Sequence, residues 1–369
     1  MVYHILGLMS GSSLDGLDLA YCRFDWQENK VVAWDILAAD TLPFSDLWQR
    51  RLANLPQQDA LIFAKTHTYF GHYIAELVQI FLQKNNLQQV DAIASHGHTI
   101  FHDPNRRLTV QIGDGAALAA QTGYTTICDF RTQDVALDGE GAPLAPLVEQ
   151  HLLGGYDFYL NLGGIANVSA PVDGRWVAFD CCPANQVLNG LAQELGAPYD
   201  EAGAWARAGQ VLPNLLTQAA QFDFYHQPYP KSLGNGWIQQ EVLPLYKAAK
   251  GSWQDKLATA CEHTAISIAD ALQQIIEQEQ LSKEQPFRVL TTGGGAFNTY
   301  LLESIQAYCD RSYNIEIHCP SEELISYKEA LLMALLGLLR LEGQPNSLKS
   351  VTGAQRNTVN GAVYHGFKS

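Results

Sequence analysis

Three glycine-rich segments carry residue types that bind phosphate. They are Gly11-Ser12-Ser13-Leu14-Asp15-Gly16-Leu17-Asp18, Gly163-Gly164 and Gly293-Gly294-Gly295. Glycine lets the backbone approach a phosphate closely and turn its N–H groups toward it, and the two serines add hydroxyl donors. One such turn alone more often marks a plain hairpin or a helix start. The prediction of phosphate binding therefore depends on the joint occurrence of all three, none of which is a Walker A loop or a dinucleotide fingerprint.

Two carboxylates of the first segment, Asp15 and Asp18, are candidate ligands of a magnesium ion. Mg²⁺ prefers one or two carboxylates and keeps several of its waters. The spacing alone does not require the ion. The prediction joins this pair to the phosphate-binding turn that contains it.

A further carboxylate, Asp180, follows the apolar stretch Trp176–Phe179 and precedes Cys181-Cys182-Pro183. A carboxylate at a strand end facing a cleft between two domains can orient and deprotonate a nucleophile during phosphoryl transfer. The alternative is an aspartate that caps a helix beginning near Pro183. Position alone does not separate the two interpretations.

Histidine and arginine side chains form a second candidate group. His96, His98 and His102 suggest either a metal site or a polar sugar pocket, and their loose spacing favours the pocket. Arg131 suits bidentate capture of a substrate carboxylate, with an ordinary inter-loop salt bridge as the alternative. The adjacent cysteines Cys181 and Cys182 are typical of small buried residues rather than of redox chemistry.

The composition limits the classes of function. The chain has 369 residues, a formal net charge of -15, 47% hydrophobic residues and seven cysteines without a CxxC pair. The acidity argues against nucleic-acid binding, which needs Lys and Arg on phosphates. No signal peptide and no apolar stretch of membrane-spanning length is apparent. These features predict a cytoplasmic enzyme with reduced thiols, no membrane association and no nucleic-acid partner.

The pattern of apolar residues predicts two α/β domains. Residues 2–43 indicate a β-meander, residues 59–84 a long helix, and the layout restarts near residue 155 with a second meander. Residues 327–343 indicate a strongly apolar helix, and residues 221–254 an ordered loop. We predict an N-terminal domain over 1–145 and a C-terminal domain over 146–369, related by duplication.

Ten ordered blocks resemble the anhydro-N-acetylmuramic acid kinase family, among them GLMSGSSLDGLDLA, ASHGHTIFHDP, CDFRTQDVALDGEGAPLAP, NLGGIANVS, FDCCPANQVLN and TTGGGAFNTYLL. The resemblance implies the two-domain actin/hexokinase-like (ribonuclease H-like) fold and an ATP- and Mg²⁺-dependent kinase. It implies that this enzyme opens 1,6-anhydro-N-acetylmuramic acid with water and phosphorylates O6, in cell-wall sugar recycling. A homodimer is compatible with the family, although no sequence feature requires one.

The resemblance also implies residue roles. The residue matching Asp180 is the general base on water, and the segment matching Gly11 to Asp18 is the ATP-phosphate loop, with the other two glycine turns at the nucleotide. His98, Arg131, Asn185 and Glu329 fall in the sugar-binding set. The chain departs from the family at His98, where the family has Gln, at Cys181-Cys182 within DCCPAN, and in KSLGN. Two alternatives stay open: a kinase of another anhydro sugar such as levoglucosan, or a non-catalytic sensor.

Overall fold

The computed structural model describes residues 1–11, 14–282 and 284–367. Twelve strands are present in this part of the chain. They are β1 (Val2–Ser10), β2 (Gly16–Gln27), β3 (Lys30–Pro43), β4 (Ala92–Asp103), β5 (Leu108–Ile112), β6 (Thr126–Cys128), β7 (Phe158–Leu162), β8 (Ile165–Val172), β9 (Arg175–Pro183), β10 (Phe287–Thr292), β11 (Ile315–His318) and β12 (Ala362–Tyr364).

The helices of the same residues follow in chain order. They are α1 (Asp46–Asn54), α2 (Ala60–Lys84), α3 (Gly115–Thr122), α4 (Thr132–Ala136), α5 (Pro146–His151), α6 (Asn185–Ala192), α7 (Ala204–Ala208), α8 (Pro213–Ala220), α9 (Asn235–Trp237), α10 (Leu243–Ala248), α11 (Trp253–Gln278), α12 (Thr299–Cys309), α13 (Glu322–Leu341) and α14 (Lys349–Thr352).

The chain divides into two compact units. Unit 1 comprises Met1–Gly154 together with Tyr327–Ser369, and unit 2 comprises Gly155–Ser326. The predicted domains, 1–145 and 146–369, differ from these units because Tyr327–Ser369 belongs to unit 1. Strand β12 pairs antiparallel with β6, and α13 packs on β1, where a Cβ at Gly7 would lie 1.9 Å from the Ala330 carbonyl oxygen.

Unit 1 is built on a seven-stranded sheet in the order β12-β6-β4-β1-β2-β3, with β5 paired to β4. Strands β1, β2 and β3 form the predicted antiparallel meander, and β4 lies parallel to both β1 and β6. The apolar face of α2 covers this sheet through Phe70, Ile74, Val78 and Phe81, which are fully buried. The helical spacing of these residues explains why the long helix was predictable.

Unit 2 repeats the layout on a five-stranded sheet in the order β11-β10-β7-β8-β9. Strands β7, β8 and β9 form a second antiparallel meander, and β10 lies parallel to β7 and β11. Helix α11 begins with a capping box between Ser252 and Asp255 and buries its apolar face in the core of this unit. The predicted fold class, a two-domain α/β protein with a duplicated β-meander plus helices, is confirmed.

The segment 221–254 was predicted to be an ordered loop. In the structure it forms a series of short helices instead. It contains a 3-10 turn at Asp223–His226, the short helices α9 and α10, and a π-helical turn at Ile238–Val242. Four buried residues anchor the segment: Phe224, Ile238, Val242 and Tyr246. They were not recognised as core residues because the segment is rich in Tyr, Pro and Gly, which are typical of loops. Packing rather than local propensity therefore determines this region.

Candidate active site

The predicted phosphate loop joins β1 to β2. Its Ser12 and Ser13 lie outside the described residues. Leu14 has a positive φ of 61°, and its N–H donates to the Gly11 carbonyl at 3.4 Å. Gly16 has no room for a side chain, because a Cβ there would lie 2.6 Å from the Leu42 carbonyl oxygen. Leu17 is buried in the core, so only its backbone is available to a ligand.

The two predicted metal ligands differ in their surroundings. Asp15 is exposed, and its Oδ1 accepts the Gly16 N–H at 2.9 Å. Asp18 is half-buried, and its Oδ1 accepts the Thr41 hydroxyl at 2.6 Å. Burial, aided by the charges of Asp15 and Glu329 and opposed by the Thr41 hydrogen bond, raises the pKa of Asp18 to about 6.

This donor set fits a magnesium ion held largely through water. Carboxylates whose charges repel one another are stabilised by a divalent cation, and Mg²⁺ needs few protein ligands. Within the described ranges, no group of three or more His, Cys, Asp and Glu side chains forms a metal site. The fit is therefore to an ion that completes its shell with water and substrate phosphates.

The unit 1 residues that were predicted to bind the sugar lie near charged side chains that influence the pKa values in this region. The Nδ1 of His98 lies 3.0 Å from the Ser10 hydroxyl, and both side chains are buried. Burial lowers the pKa of His96 to about 3, with the nearby Arg131 charge as the next contribution. The Glu329 charge in turn opposes the lowering of the Arg131 pKa that burial causes. The fold thus brings His98, Arg131 and Glu329 to the same region as Asp18.

The histidines are neutral at physiological pH and do not form a metal site among the described residues. Burial lowers the pKa of His98 and of His102 as well as that of His96. His102 contacts the Thr109 hydroxyl through Nδ1 at 3.1 Å, whereas His96 Nδ1 lies 3.1 Å from the Gly97 carbonyl. Their place in a polar sugar pocket stays a prediction.

Arg131 has an unsatisfied donor. Its Nε–H is buried and has no hydrogen-bond partner among the described residues. In the described part of the chain Arg131 forms no ion pair with a carboxylate, so the inter-loop salt bridge is not observed there. A buried donor without a partner costs free energy, so the position suits a group that accepts a ligand's oxygen.

The sequence-based interpretation missed Asp134, which supports the turn carrying Arg131. Its carboxylate is fully buried and accepts hydrogen bonds from Ser347 Oγ at 2.5 Å, Thr352 Oγ1 at 2.9 Å and the Gly141 N–H at 2.8 Å. Charge-assisted bonds of this kind are strong. They tie α4 to the C-terminal segment, a contact between residues too far apart in sequence to be visible as a motif.

In unit 2, Asp180 is held by a neighbouring segment. The Asp180 N–H donates to the Lys231 carbonyl at 3.0 Å, and its Oδ2 accepts the Leu233 N–H at 2.8 Å. Burial raises the pKa of Asp180, and the Leu233 hydrogen bond opposes the shift. The capping alternative is wrong, because α6 begins at Asn185 behind Ala184 and has no side-chain cap.

The adjacent cysteines play a structural part. Cys181 is the extra residue of a β-bulge, because Asn167 pairs with Asp180 and Ala166 with Cys182. Both thiols are buried, and burial raises the pKa of Cys182 to about 12. Such thiols are unreactive, in agreement with the interpretation as small buried residues.

The third glycine turn lies at a cavity of about 540 Å³ in unit 2, lined in part by Gly294 and Gly295. Gly293 has a positive φ of 83°, and a Cβ at Gly295 would lie 2.7 Å from Leu162 Cβ. Gly164 lies against the Gln186 side chain. Asn185, predicted for the sugar, lines this cavity instead and donates from Nδ2 to the Leu162 carbonyl at 3.0 Å.

Two aromatic side chains at this cavity were not predicted from the sequence. Tyr199 and Phe297 line it and are 58% and 44% exposed, respectively. Large exposed aromatic side chains beside a cavity are typical of ligand stacking. Phe297 stands next to the triple glycine, which is the signal that would have suggested it.

Comparison with known proteins assigns the family. The model of anhydro-N-acetylmuramic acid kinases matches residues 3–366. The chain belongs to this family. An anhydro-N-acetylmuramic acid kinase of Aliivibrio fischeri is 33% identical, over 97% of this chain and 98% of its own length.

Solved structures resemble this kinase family member only distantly. One is the activator of 2-hydroxyisocaproyl-CoA dehydratase from Clostridium difficile with bound ADPNP, at 14% identity and a TM-score of 0.43, covering 92% of this chain and 96% of that one. Another is the ROK hexokinase of Thermus thermophilus, at 15% identity and a TM-score of 0.37, covering 92% and 99%. Among the described residues, no helix is both long and apolar enough to cross a membrane.

Proposed function

We propose that the protein is an ATP-dependent kinase that opens 1,6-anhydro-N-acetylmuramic acid with water and phosphorylates O6. The product is N-acetylmuramic acid 6-phosphate, an intermediate in the recycling of cell-wall sugar. The observation that carries the proposal is the family match over nearly the whole chain. A reaction that consumes ATP supports a cytoplasmic site of action.

Asp180 is the proposed general base. With Oδ2 bound to the Leu233 N–H, the carboxylate is oriented and its other oxygen can accept a proton from water. The water oxygen forms a bond to C1 of the sugar as the bond between C1 and the bridging O6 breaks. O6 then bonds to the γ-phosphorus, and ADP leaves. The released ring strain and the oriented nucleophile both favour transfer.

The proposed contacts of unit 1 divide between phosphate and sugar. Backbone N–H groups of the segment 11–18 hold the ATP phosphates, with Asp15 and Asp18 near the Mg²⁺ ion. That ion supplies neutralisation of the charge on the phosphates. The buried guanidinium of Arg131 binds the lactyl carboxylate of the substrate, and His98 and Glu329 hydrogen-bond sugar hydroxyls.

The cavity beside the triple glycine is the proposed site of the nucleoside. Gly293, Gly294 and Gly295 allow close approach of the ligand, and Tyr199 and Phe297 offer aromatic faces to a base. Asn185, by its place at this cavity, would hold the glycine turn against the nucleotide rather than bind the sugar.

A second candidate is a kinase for an uncharged anhydro sugar such as levoglucosan. Arg131 separates the two, since levoglucosan has no carboxylate to meet the unsatisfied Nε–H. A buried donor left without an acceptor costs free energy. The observation favours the muramic substrate.

The test is a coupled ADP-release assay with MgATP on four sugars: 1,6-anhydro-N-acetylmuramic acid, levoglucosan, N-acetylglucosamine and N-acetylmuramic acid. We expect turnover of the first alone, with a product whose mass has gained one phosphate group and one water. Turnover of levoglucosan alone would keep the reaction type and overturn the substrate. Folded protein that binds ATP but turns over none of the four would indicate the non-catalytic sensor.

A further inference from the structure

A second groove in unit 2 has no part in the proposed reaction. It has a volume of about 560 Å³ and lies between α11 and the residues 220–231. Its lining includes the polar side chains of Tyr225, Lys231, Ser267, Asp270, Gln274 and Gln278. This volume is in the range of pockets that hold small molecules.

The groove holds two opposite charges that do not neutralise each other. Lys231 Nζ donates to the Phe224 carbonyl at 3.2 Å and lies 4.6 Å from the centroid of the Phe224 ring. In the described part of the chain, no carboxylate forms an ion pair with it, and Asp270 has neither an ion pair nor a hydrogen bond. Desolvation lowers the pKa of Lys231 and raises that of Asp270.

A third polar group of the groove is also unsatisfied. The hydroxyl of Tyr225 is buried and has no hydrogen-bond partner among the described residues. Buried polar groups are nearly always paired, so this hydroxyl is available to an acceptor or donor of a bound molecule. The amides of Gln274 and Gln278, on the α11 wall, can donate and accept in the same interaction.

We propose that this groove binds a small zwitterion, an α-amino acid or a dipeptide. The ligand's carboxylate pairs with Lys231 and its ammonium group with Asp270, while the glutamine amides meet the remaining polar atoms. Both charges of such a ligand would be compensated, which neither an anion nor a cation alone achieves in this groove.

Occupancy of the groove would act on Asp180. The Lys231 side chain lines the groove, while its carbonyl accepts the Asp180 N–H, and Leu233, two residues on, donates to the Asp180 carboxylate. A ligand that fixes Lys231 therefore fixes the segment that orients this carboxylate. The site is thus regulatory, and this consequence alone rests on the proposed function.

Isothermal titration calorimetry of the full-length protein tests the binding. The probes are the protein amino acids and L-alanyl-L-alanine, with N-acetyl-alanine and alanine amide as ligands that lack one charge. We expect at least one zwitterion to bind and its singly charged analogue to bind about tenfold more weakly or worse, the loss of one charged hydrogen bond. K231M and D270N should weaken binding of the zwitterion to the same extent.

Two substitutions at exposed positions of unit 2 are matched controls, K250M and D310N, which should bind like the native protein. Absence of binding by every zwitterion overturns the proposal, and so does binding that K231M and D270N leave unchanged. Should K231M fail to fold, D270N decides, since Asp270 is exposed. Because calorimetry needs no turnover, a bound zwitterion without sugar kinase activity would refute the proposed function and leave this site intact.

Discussion

Replacing Asp180 by asparagine removes the proposed base and leaves its surroundings intact. The amide oxygen can occupy the position of Oδ2 and keep the bond to the Leu233 N–H, which measures 2.8 Å in the native protein. The NH₂ group then stands where Oδ1 was, and it cannot accept a proton from water. We expect kcat to fall by about 10²- to 10⁴-fold, the usual contribution of a positioned base.

Ground-state binding should not change in D180N. Since the substitution removes an interaction needed only in the transition state, the dissociation constants of ATP and the sugar should stay near their native values. Because burial raises the pKa of Asp180, replacement of the carboxylate by a neutral amide should not lower the melting temperature. The control is D173N, which alters an exposed carboxylate at the turn of the same meander, where a positive φ of 46° is well tolerated by asparagine.

The pH profile supplies the second readout of Asp180. The base works only when ionised, so kcat/KM of the native protein should fall as the pH drops through its folded pKa. Burial raises that pKa above the ordinary value of 3.8, so the acid limb should lie above it. The residual activity of D180N should lack this limb. Native-like kcat in D180N, or an unchanged acid limb, would refute the assignment of the base.

Three further substitutions test the unit 1 residues. R131M should raise the KM for anhydro-N-acetylmuramic acid about 10- to 100-fold through loss of a charged hydrogen bond, while the dissociation constant of MgATP stays as in the native protein. Asp18 has a folded pKa of about 6, above its unfolded value, so its stabilising contribution is complete below the unfolded pKa and is lost as the pH rises through 6. D18N should therefore be more stable than native protein at alkaline pH without Mg²⁺, on the order of 1 kcal/mol in urea unfolding, and should bind MgATP more weakly. D134N should lower the free energy of unfolding by about 2–4 kcal/mol, because three charge-assisted hydrogen bonds to the buried carboxylate become neutral ones. Unfolding indistinguishable from that of the native protein would contradict the role of this carboxylate.

The meanders and the long helix could be predicted because their signals are local. Apolar residues at helical spacing define α2, and glycine turns between apolar stretches define the strands of both sheets. The phosphate loop and the triple glycine stand at the ends of these elements, where sequence alone places them, whereas Asp180 lies inside β9 beside the bulge at Cys181 and not at the predicted strand end. Their roles stay predictions until they are measured.

The contacts that position the candidate site were not predictable, because they join distant residues. Leu233 lies 53 positions from Asp180 and contributes a backbone N–H. A pattern of side chains in the sequence cannot indicate such a contact. The segment that contains it was predicted as a loop on its composition, although buried aromatic and aliphatic residues anchor it. Tertiary packing overrides local propensity in such a segment.

Contacts between distant residues also explain why the two units differ from the predicted domains. A single domain boundary between residues 145 and 146 assumes that each unit is continuous in sequence. The sheet of unit 1, however, includes β12, which contains residues near the chain's end. Gly7 has no Cβ because α13 passes directly over β1, with the Ala330 carbonyl in the space a side chain would need. Glu329 precedes Ala330 in α13. The position of this proposed sugar-binding residue therefore depends on a glycine more than 300 residues earlier. The N-terminal motifs alone do not supply all the candidate site residues of unit 1.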